Sequence, residues 1–146
     1  MTATLPKVDL PAHALIEMQF TPAAVQTANA TLFNNEAVPF GNRGFQFQSI
    51  GGDRYRLIVG LGAHSAFSKP IFLPSGKQDF ISIEIKNRDV TIRANGVAVD
   101  GMHLPEPMVD SSGPVTLGSW VDGRRRFWGT IQFFQIVDLD RKTGTS

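Results

Sequence analysis

The two tryptophans of this sequence lie close together, with arginines between them: the residues are Trp120, Arg124, Arg126 and Trp128. Tryptophan and arginine are enriched among the residues that dominate binding energy at protein interfaces, and an indole face attracts cations. An exposed tryptophan also stacks on sugar rings. If one surface presents all four side chains, it could bind a protein partner or a glycan.

The hairpin predicted over residues 115–138 decides whether these side chains share a face. Apolar and polar residues alternate on both sides of a central Asp-Gly pair, as in two paired strands. A two-residue turn would pair Leu117 with Trp128. We prefer a three-residue loop, 121–123, closed by a left-handed glycine, which pairs Leu117 with Phe127 instead.

The preferred register sorts the side chains of this hairpin into two faces. Its core face holds Leu117, Phe127 and Ile131. Its outward face holds Trp120, Arg124, Arg126 and Trp128. An alternative is that the arginines only cover the indoles with their alkyl stems and form a solvated sheet face.

Phe133 and Phe134 are adjacent, so in a regular strand they point to opposite faces. Either a bulge turns both inward, or one lies on the outer face and needs a partner. Phe133 is therefore a fifth candidate binding residue.

Residues that could catalyse a reaction or hold a metal ion are scattered. His13, His64 and His103 are far apart and form no HxH or HExxH pair. Asp138 and Asp140 offer far fewer oxygens than the roughly six to eight that calcium requires. No nucleophile elbow or phosphate-binding glycine loop occurs. We therefore predict no catalytic residues, no metal site and no cofactor.

Composition limits the class of protein. At 146 residues, 42% of them hydrophobic, the chain suits one domain with a buried core. A net charge of +1 argues against general nucleic-acid binding, and the absence of cysteine excludes disulfides. No signal-peptide pattern and no run of about 18 apolar residues occurs, so we expect no secretion signal and no membrane insertion.

The chain divides into three predicted parts: an N-terminal arm at 1–13, one sandwich domain at 14–140 and a C-terminal tail at 141–146. Weak alternation over 14–20 predicts the first strand. Residues 21–30 could form a short helix, because Thr suits the N-cap and Pro the first turn, or an irregular crossing.

Strand patterns begin at Phe40 and continue along the chain, with tight turns at Gly51-Gly52 and Asn95-Gly96. Alternation predicts buried side chains at Phe45, Phe47, Leu57, Val59, Ile81, Ile83, Ile85, Ile92, Leu117, Phe127 and Ile131. Many short strands, joined by turns and with at most one short helix, predict an all-β fold, a two-sheet antiparallel sandwich.

The spacing of small, apolar and aromatic residues near the C-terminus resembles the closing strands of laminin-G-like domains, in the concanavalin A-like lectin and glucanase superfamily. The matching residues are Leu117, Gly118, Phe127, Gly129, Ile131, Phe134 and Ile136. Residues 81–96 resemble the family's paired strands before an Asn-Gly turn, with Arg93 and Ala94 replacing its usual aromatic residue. The resemblance implies a jelly roll.

Two missing motifs narrow what the resemblance implies. The glucanases of the superfamily carry a Glu-x-Asp-x-x-Glu strand, and galectins, a rival resemblance, carry a His-x-Asn-x-Arg strand. Neither occurs here. Glycoside hydrolysis requires a pair of carboxyl groups, so we expect a protein that is not an enzyme.

Two functions of different class follow. The one we favour is a structural or docking module that binds other protein subunits or copies of itself. Sandwich domains of this superfamily occur in bacteriophage tails and capsids, so the resemblance implies a virion component assembled in the host cytoplasm. The alternative is a carbohydrate-binding, lectin-like module for adhesion or glycan recognition.

Overall fold

The structure, a computed structural model, describes residues 3–5, 13–35, 42–109, 115–119 and 123–140. These residues form twelve β-strands and no helix. The strands are β1 (Ala3–Leu5), β2 (His13–Pro22), β3 (Thr31–Asn34), β4 (Phe45–Gly51), β5 (Arg54–Gly60), β6 (Ser65–Phe67), β7 (Ile71–Phe72), β8 (Asp79–Lys86), β9 (Asp89–Ala94), β10 (Val97–His103), β11 (Val115–Leu117) and β12 (Gly129–Asp138).

The strands form two antiparallel sheets. The larger sheet has the order β1-β11-β3-β4-β5-β6, with β7 also paired to β5, and the smaller has the order β10-β9-β8-β2-β12. The predicted all-β, two-sheet antiparallel sandwich is confirmed. The helix considered for residues 21–30 is absent, because β2 continues to Pro22, which pairs with Gly129 of β12.

The core lies between the sheets and consists of the inward side chains of both. On β2, Ile16 and Phe20 are at most 1% exposed, while their neighbours along the strand reach the surface. The predicted core residues that are buried are Phe45, Phe47, Leu57, Val59, Ile81, Ile83, Ile85, Ile92 and Phe127. Leu117 and Ile131 are partly buried and pack against this core. Each fully buried side chain of this size contributes roughly 1.5 to 3 kcal/mol.

The predicted tight turns are present. Gly51 pairs with Arg54, so the turn between β4 and β5 falls on Gly52 and Asp53, one residue later than predicted. The φ angles of Gly52 and Asp53 are 61° and 60°, as in the mirror-image turns that suit the twist of paired strands. Asn95-Gly96 connects β9 to β10 with φ values of 52° and 83°.

The hairpin predicted over residues 115–138 is wrong. β11 lies in the larger sheet, where Leu117 pairs with Phe33, whereas β12 lies at the edge of the smaller sheet beside β2. The predicted pairing of Leu117 with Phe127 is therefore replaced by a crossing between sheets, in which the Phe127 N–H donates to the Gly118 carbonyl at 2.8 Å. Alternation reports which face a side chain takes, but it does not identify the partner strand.

The N-terminal strand β1 pairs antiparallel with β11, and Leu5 lies opposite Val115. Part of the predicted N-terminal arm is therefore an edge strand of the larger sheet. The remaining residues of the arm, and the tail at 141–146, lie outside the described residues. The division into arm, domain and tail stays a prediction.

Candidate binding site

Four of the five predicted site residues lie in the described part of the chain, and Trp120 lies outside it. Arg124, Arg126 and Trp128 follow one another on the segment that leads into β12, and all three are exposed. Trp128 is 47% exposed. The Arg126 guanidinium lies 4.3 Å from the centre of the Trp128 ring, so it covers part of the indole. This contact agrees with the alternative in which arginine packs on tryptophan.

Trp128 is held by the loop that follows β2. Its backbone N–H donates to the Gln26 side-chain oxygen at 2.9 Å, and its carbonyl accepts from the Gln26 amide and from the Ala23 N–H. The indole N–H donates to the Thr27 hydroxyl at 3.0 Å. The polar groups of Trp128 are therefore satisfied within the protein, which leaves its exposed surface apolar.

Gly129 fixes where the tryptophan sits. It has φ +139°, and a Cβ added there would lie 2.2 Å from the Thr21 carbonyl oxygen. Only glycine fits this close approach of two backbones. The segment before β12 therefore reaches the loop after β2 at a fixed position, and Trp128 stands directly before that contact.

A surface cavity of about 380 Å³ lies between the loop after β2 and the β4–β5 hairpin. Its lining consists of Ala24, Gln26, Thr27, Ala28, Asn29, Ser49, Ile50, Gly51, Gly52, Asp53 and Tyr55. This volume falls within the roughly 300 to 1,000 Å³ of typical small-molecule sites. Most of its polar groups are amides and hydroxyls, which suits a ligand rich in hydroxyl groups.

Tyr55 connects this cavity to the core. It is 1% exposed, and its ring stacks on Phe47 at 5.9 Å. Burial, followed by the nearby carboxylates of Asp53 and Asp79, raises the pKa of the Tyr55 phenol above its ordinary value. The phenol therefore stays protonated at physiological pH and is a neutral hydrogen-bonding group.

The cavity and Trp128 belong to one surface, because Gln26 and Thr27 line the cavity and also bond Trp128. Sequence reasoning missed the cavity entirely. Its polar residues come from two segments about 25 positions apart in the sequence. Their spacing does not match any known binding motif.

The fifth predicted residue, Phe133, lies elsewhere. A bulge in β12 occurs between Ile131 and Phe133, after which Phe134 turns inward, 5.5 Å from the ring of Phe33. Phe133 is 40% exposed. It stands five residues beyond Trp128, roughly 15 Å along an extended strand. The structure therefore places Phe133 on β12 itself, away from the cavity.

Arg54, Tyr55 and Arg56 are adjacent cationic and aromatic residues on β5, and the fold divides them between two faces. Tyr55 points inward, whereas the flanking arginines alternate with it along β5. The Arg56 guanidinium lies 4.4 Å from the centre of the Phe67 ring. These arginines therefore do not share a surface with the Tyr55 side chain.

Within the described residues, no group of three or more histidine, aspartate or glutamate side chains could hold a metal ion. Asp140 is instead engaged locally, since its N–H donates to Asp138 at 3.0 Å and its carboxylate lies 3.5 Å from His13. The same part of the chain contains no helix long and apolar enough to cross a membrane.

These features define a two-sheet antiparallel β-sandwich with a polar surface cavity beside an exposed tryptophan. Domains 4–5 of the mouse laminin α1 G region share the fold, with a TM-score of 0.73 and 15% identity over 99% of this chain and 42% of that one. The predicted resemblance to laminin-G-like domains is thus confirmed for the fold. This chain spans less than half the length of the laminin chain in that two-domain structure.

Two further structures have the same fold. One is the carbohydrate-binding module CBM40 of a Ruminococcus gnavus sialidase bound to α2,3 sialyllactose, with a TM-score of 0.68 and 14% identity over 90% of this chain and 80% of that one. The other is the binding domain of botulinum neurotoxin DC in complex with rat synaptotagmin II, with a TM-score of 0.64 and 12% identity over 85% of this chain and 32% of that one. No protein-family model and no curated protein matches the sequence.

Proposed function

We propose that this protein is a non-enzymatic binding module that recognises a glycan at the cavity beside Trp128. The observation that carries the proposal is the double role of Gln26 and Thr27, which fix an exposed indole and line a polar cavity. A sugar presents apolar C–H faces and polar hydroxyls together. The indole can pack against the apolar C–H face of the sugar, and the amides and hydroxyls of the cavity can hydrogen-bond to its hydroxyl groups.

Arg126 limits how the sugar can approach. Its guanidinium covers part of the indole, so a sugar contacts the remaining exposed surface of Trp128. A guanidinium at this position also pairs readily with a carboxylate. The arrangement therefore favours a glycan with an acidic group over a neutral one, and Arg126→Ala should narrow the difference in affinity between them.

The described lining of the cavity supports binding without catalysis. Asp53 is its carboxylate, and its Oδ2 accepts from the Ser75 N–H at 3.4 Å. Glycoside hydrolysis uses two carboxyl groups, on either side of the scissile bond. The sialyllactose complex of the module with the same fold supports a glycan partner in general, while the preference proposed here for an acidic sugar rests on Arg126.

The test is a glycan array followed by titration of the best ligand. Trp128→Ala should weaken binding at least about tenfold, a loss of about 1.4 kcal/mol, because it removes the apolar platform. Phe67→Ala is the matched control: Phe67 is 52% exposed and lies on β6, which pairs with Ile58 to Gly60 rather than with the part of β5 that lines the cavity. If no glycan binds, or if both variants bind as tightly as the wild type, the proposal is wrong.

A second candidate function is a docking component of a larger assembly, such as a tail or capsid accessory protein of a bacteriophage virion. The stacked pair of Arg126 and Trp128 favours it, because arginine and tryptophan dominate interface hot spots. Exposed Phe133 adds an apolar contact on the next strand. The neurotoxin domain in complex with synaptotagmin supports a protein partner for this fold.

The same Trp128→Ala variant separates the two candidates. In a docking protein, truncation of a buried tryptophan anchor typically costs at least about 2 kcal/mol, so assembly should weaken well over tenfold while the domain stays folded. In a glycan-binding module the variant should keep its oligomeric state and lose its sugar. Light scattering of the wild type and of Trp128→Ala measures the oligomeric state, and together with the glycan titration it distinguishes the two candidate functions.

A further inference from the structure

The cavity beside the loop after β2 contains a buried phenol whose hydroxyl has no partner in the described part of the chain. Tyr55 lines this cavity and is 1% exposed. Its hydroxyl makes no hydrogen bond to any described residue. It is also not one of the sealed polar atoms that lack a partner, so it opens on the cavity. A buried tyrosine hydroxyl normally finds a partner, and here a ligand can supply it.

Asp53 lies beside Tyr55 in the same lining, on the turn between β4 and β5. The described lining contains this one carboxylate and no lysine, arginine or histidine. Within the described residues, the Asp53 carboxylate accepts one hydrogen bond, from the Ser75 N–H at 3.4 Å. That distance exceeds the roughly 2.7 to 3.2 Å of a well-formed N–H···O bond. The carboxylate can therefore accept further hydrogen bonds from a ligand.

Asp79 adds a second negative charge near the Tyr55 hydroxyl. Asp79 is 1% exposed, and its Oδ2 is sealed without a hydrogen-bond partner. Its Oδ1 accepts from the Asn95 amide at 2.9 Å and lies 3.6 Å from the Lys77 ammonium. Burial first, and then the carboxylates of Asp53 and Asp79, raise the pKa of the Tyr55 phenol. Both charges therefore act at the hydroxyl, and Lys77 offsets only that of Asp79.

A ligand group that suits this part of the cavity donates hydrogen bonds and carries a positive charge. An ionised carboxylate only accepts, and a neutral phenol can accept as well as donate. A primary ammonium has three donors, and its hydrogen bonds to a carboxylate are stronger than those between neutral groups. A ligand hydroxyl donates once and carries no charge, so it would leave the two carboxylates uncompensated.

We propose that the cavity binds the protonated amine of an amino sugar, and that Asp53 and Tyr55 recognise this amine together. The proposal rests on the glycan-binding function proposed above and narrows it to sugars with a free amine. Thr27 and Asn29 line the same cavity and can bond to hydroxyls of the same ring. Arg126 packs on Trp128 and is not part of the described lining, so an acidic group that it attracts belongs to another part of the glycan.

Four small rings separate the contribution of the amine from that of the sugar: glucosamine, glucose, N-acetylglucosamine and cyclohexylamine. Glucosamine differs from glucose only by an amine in place of one hydroxyl. In NMR titrations of the labelled full chain at mildly acid pH, glucosamine should bind at least about tenfold more tightly than glucose or N-acetylglucosamine, because hydrogen bonds to charged groups are the stronger ones. The preference should decline as the pH rises and the amine of the ligand loses its proton.

Asp53→Asn removes the charge and preserves the turn, because asparagine tolerates the φ of 60° at this position. This variant should bind glucosamine and glucose equally. Tyr55→Phe keeps the ring that stacks on Phe47 and should lose part of the preference. Asp89→Asn is the matched control, because Asp89 lies opposite Lys86 at the far end of β8, and it should keep the preference of the wild type. Melting temperatures of all three variants report whether each is folded.

Equal binding of glucosamine and glucose by the wild type would overturn the proposal and leave a glycan site that does not read an amine. An undiminished preference in folded Asp53→Asn would also overturn it. If cyclohexylamine binds as tightly as glucosamine, with the same dependence on Asp53, the amine site is real and the glycan function is wrong. If none of the four rings binds, the amine proposal fails, whereas the glycan array decides the glycan function separately.

Discussion

At the scale of single residues, Trp128 shows how a large aromatic side chain can remain at the surface in one position. Gln26 bonds both the N–H and the carbonyl of its backbone, and Thr27 accepts from its indole. A side chain fixed in this way loses little conformational freedom when it binds a ligand. Its position in the free protein is therefore already suited to binding.

Glu84 contributes to the stability of the fold through its ionised carboxylate. Its carboxylate lies 2.7 Å from His13 and 3.4 Å from Arg93. The hydrogen bond with His13, aided by Arg93 and only partly opposed by burial, holds the pKa of Glu84 below its ordinary value of 4.5. The folded state thus binds this proton less readily than the unfolded state. The resulting stability is present above the ordinary pKa and is lost as the pH falls through the lowered one.

We therefore predict that Glu84→Gln lowers the free energy of unfolding at neutral pH by about 0.5 kcal/mol, since the pair is partly exposed. The difference from the wild type should shrink as the pH falls below 4.5. Urea unfolding at neutral and acid pH measures both values. An equal difference at every pH would mean that the charge of Glu84 contributes nothing to stability.

At the scale of elements, β8 is the centre of the smaller sheet. Ile83 is fully buried and lies opposite Ile16 of β2 and Ile92 of β9. A carboxylate there would lose its hydration without gaining a partner, at a cost of several kcal/mol, which is comparable to the whole stability of a typical domain. The strand therefore tolerates charge on one face only.

Ile83→Asp should accordingly prevent folding, while Ser82→Asp, one residue earlier, should fold because Ser82 faces outward and lies opposite Arg93. Circular dichroism during heating distinguishes the two outcomes. A soluble Ile83→Asp protein that melts cooperatively would contradict the assignment of the inner face.

The same elements show how far sequence reasoning extends. Alternation over β8 and β9 predicted both strands and their inner faces, because one side of each is buried. Alternation over β11 and β12 predicted their inward residues too, but not their partners, since each strand joins a different sheet. Partner choice depends on contacts between distant segments, such as β12 with β2, that a local pattern does not contain.

At the scale of the whole molecule, the candidate site exists only because the sandwich brings three segments together. The loop after β2 is about 100 residues from Trp128 in the sequence, yet Gln26 and Thr27 bond it directly. The sequence indicated an exposed tryptophan and arginine. It gave no sign of the cavity, because Asn29, Ser49 and Asp53 are ordinary loop and turn residues until the fold assembles them.

The most direct test of the central claim is a glycan titration followed by NMR on isotope-labelled protein. If the cavity and the tryptophan form one glycan site, the indole N–H of Trp128 and the amides of Gln26, Thr27 and Asn29 should shift together with a single dissociation constant. Phe67, on β6, should not shift. Changes confined to another part of the sandwich, with the Trp128 indole unmoved at saturation, would contradict the account.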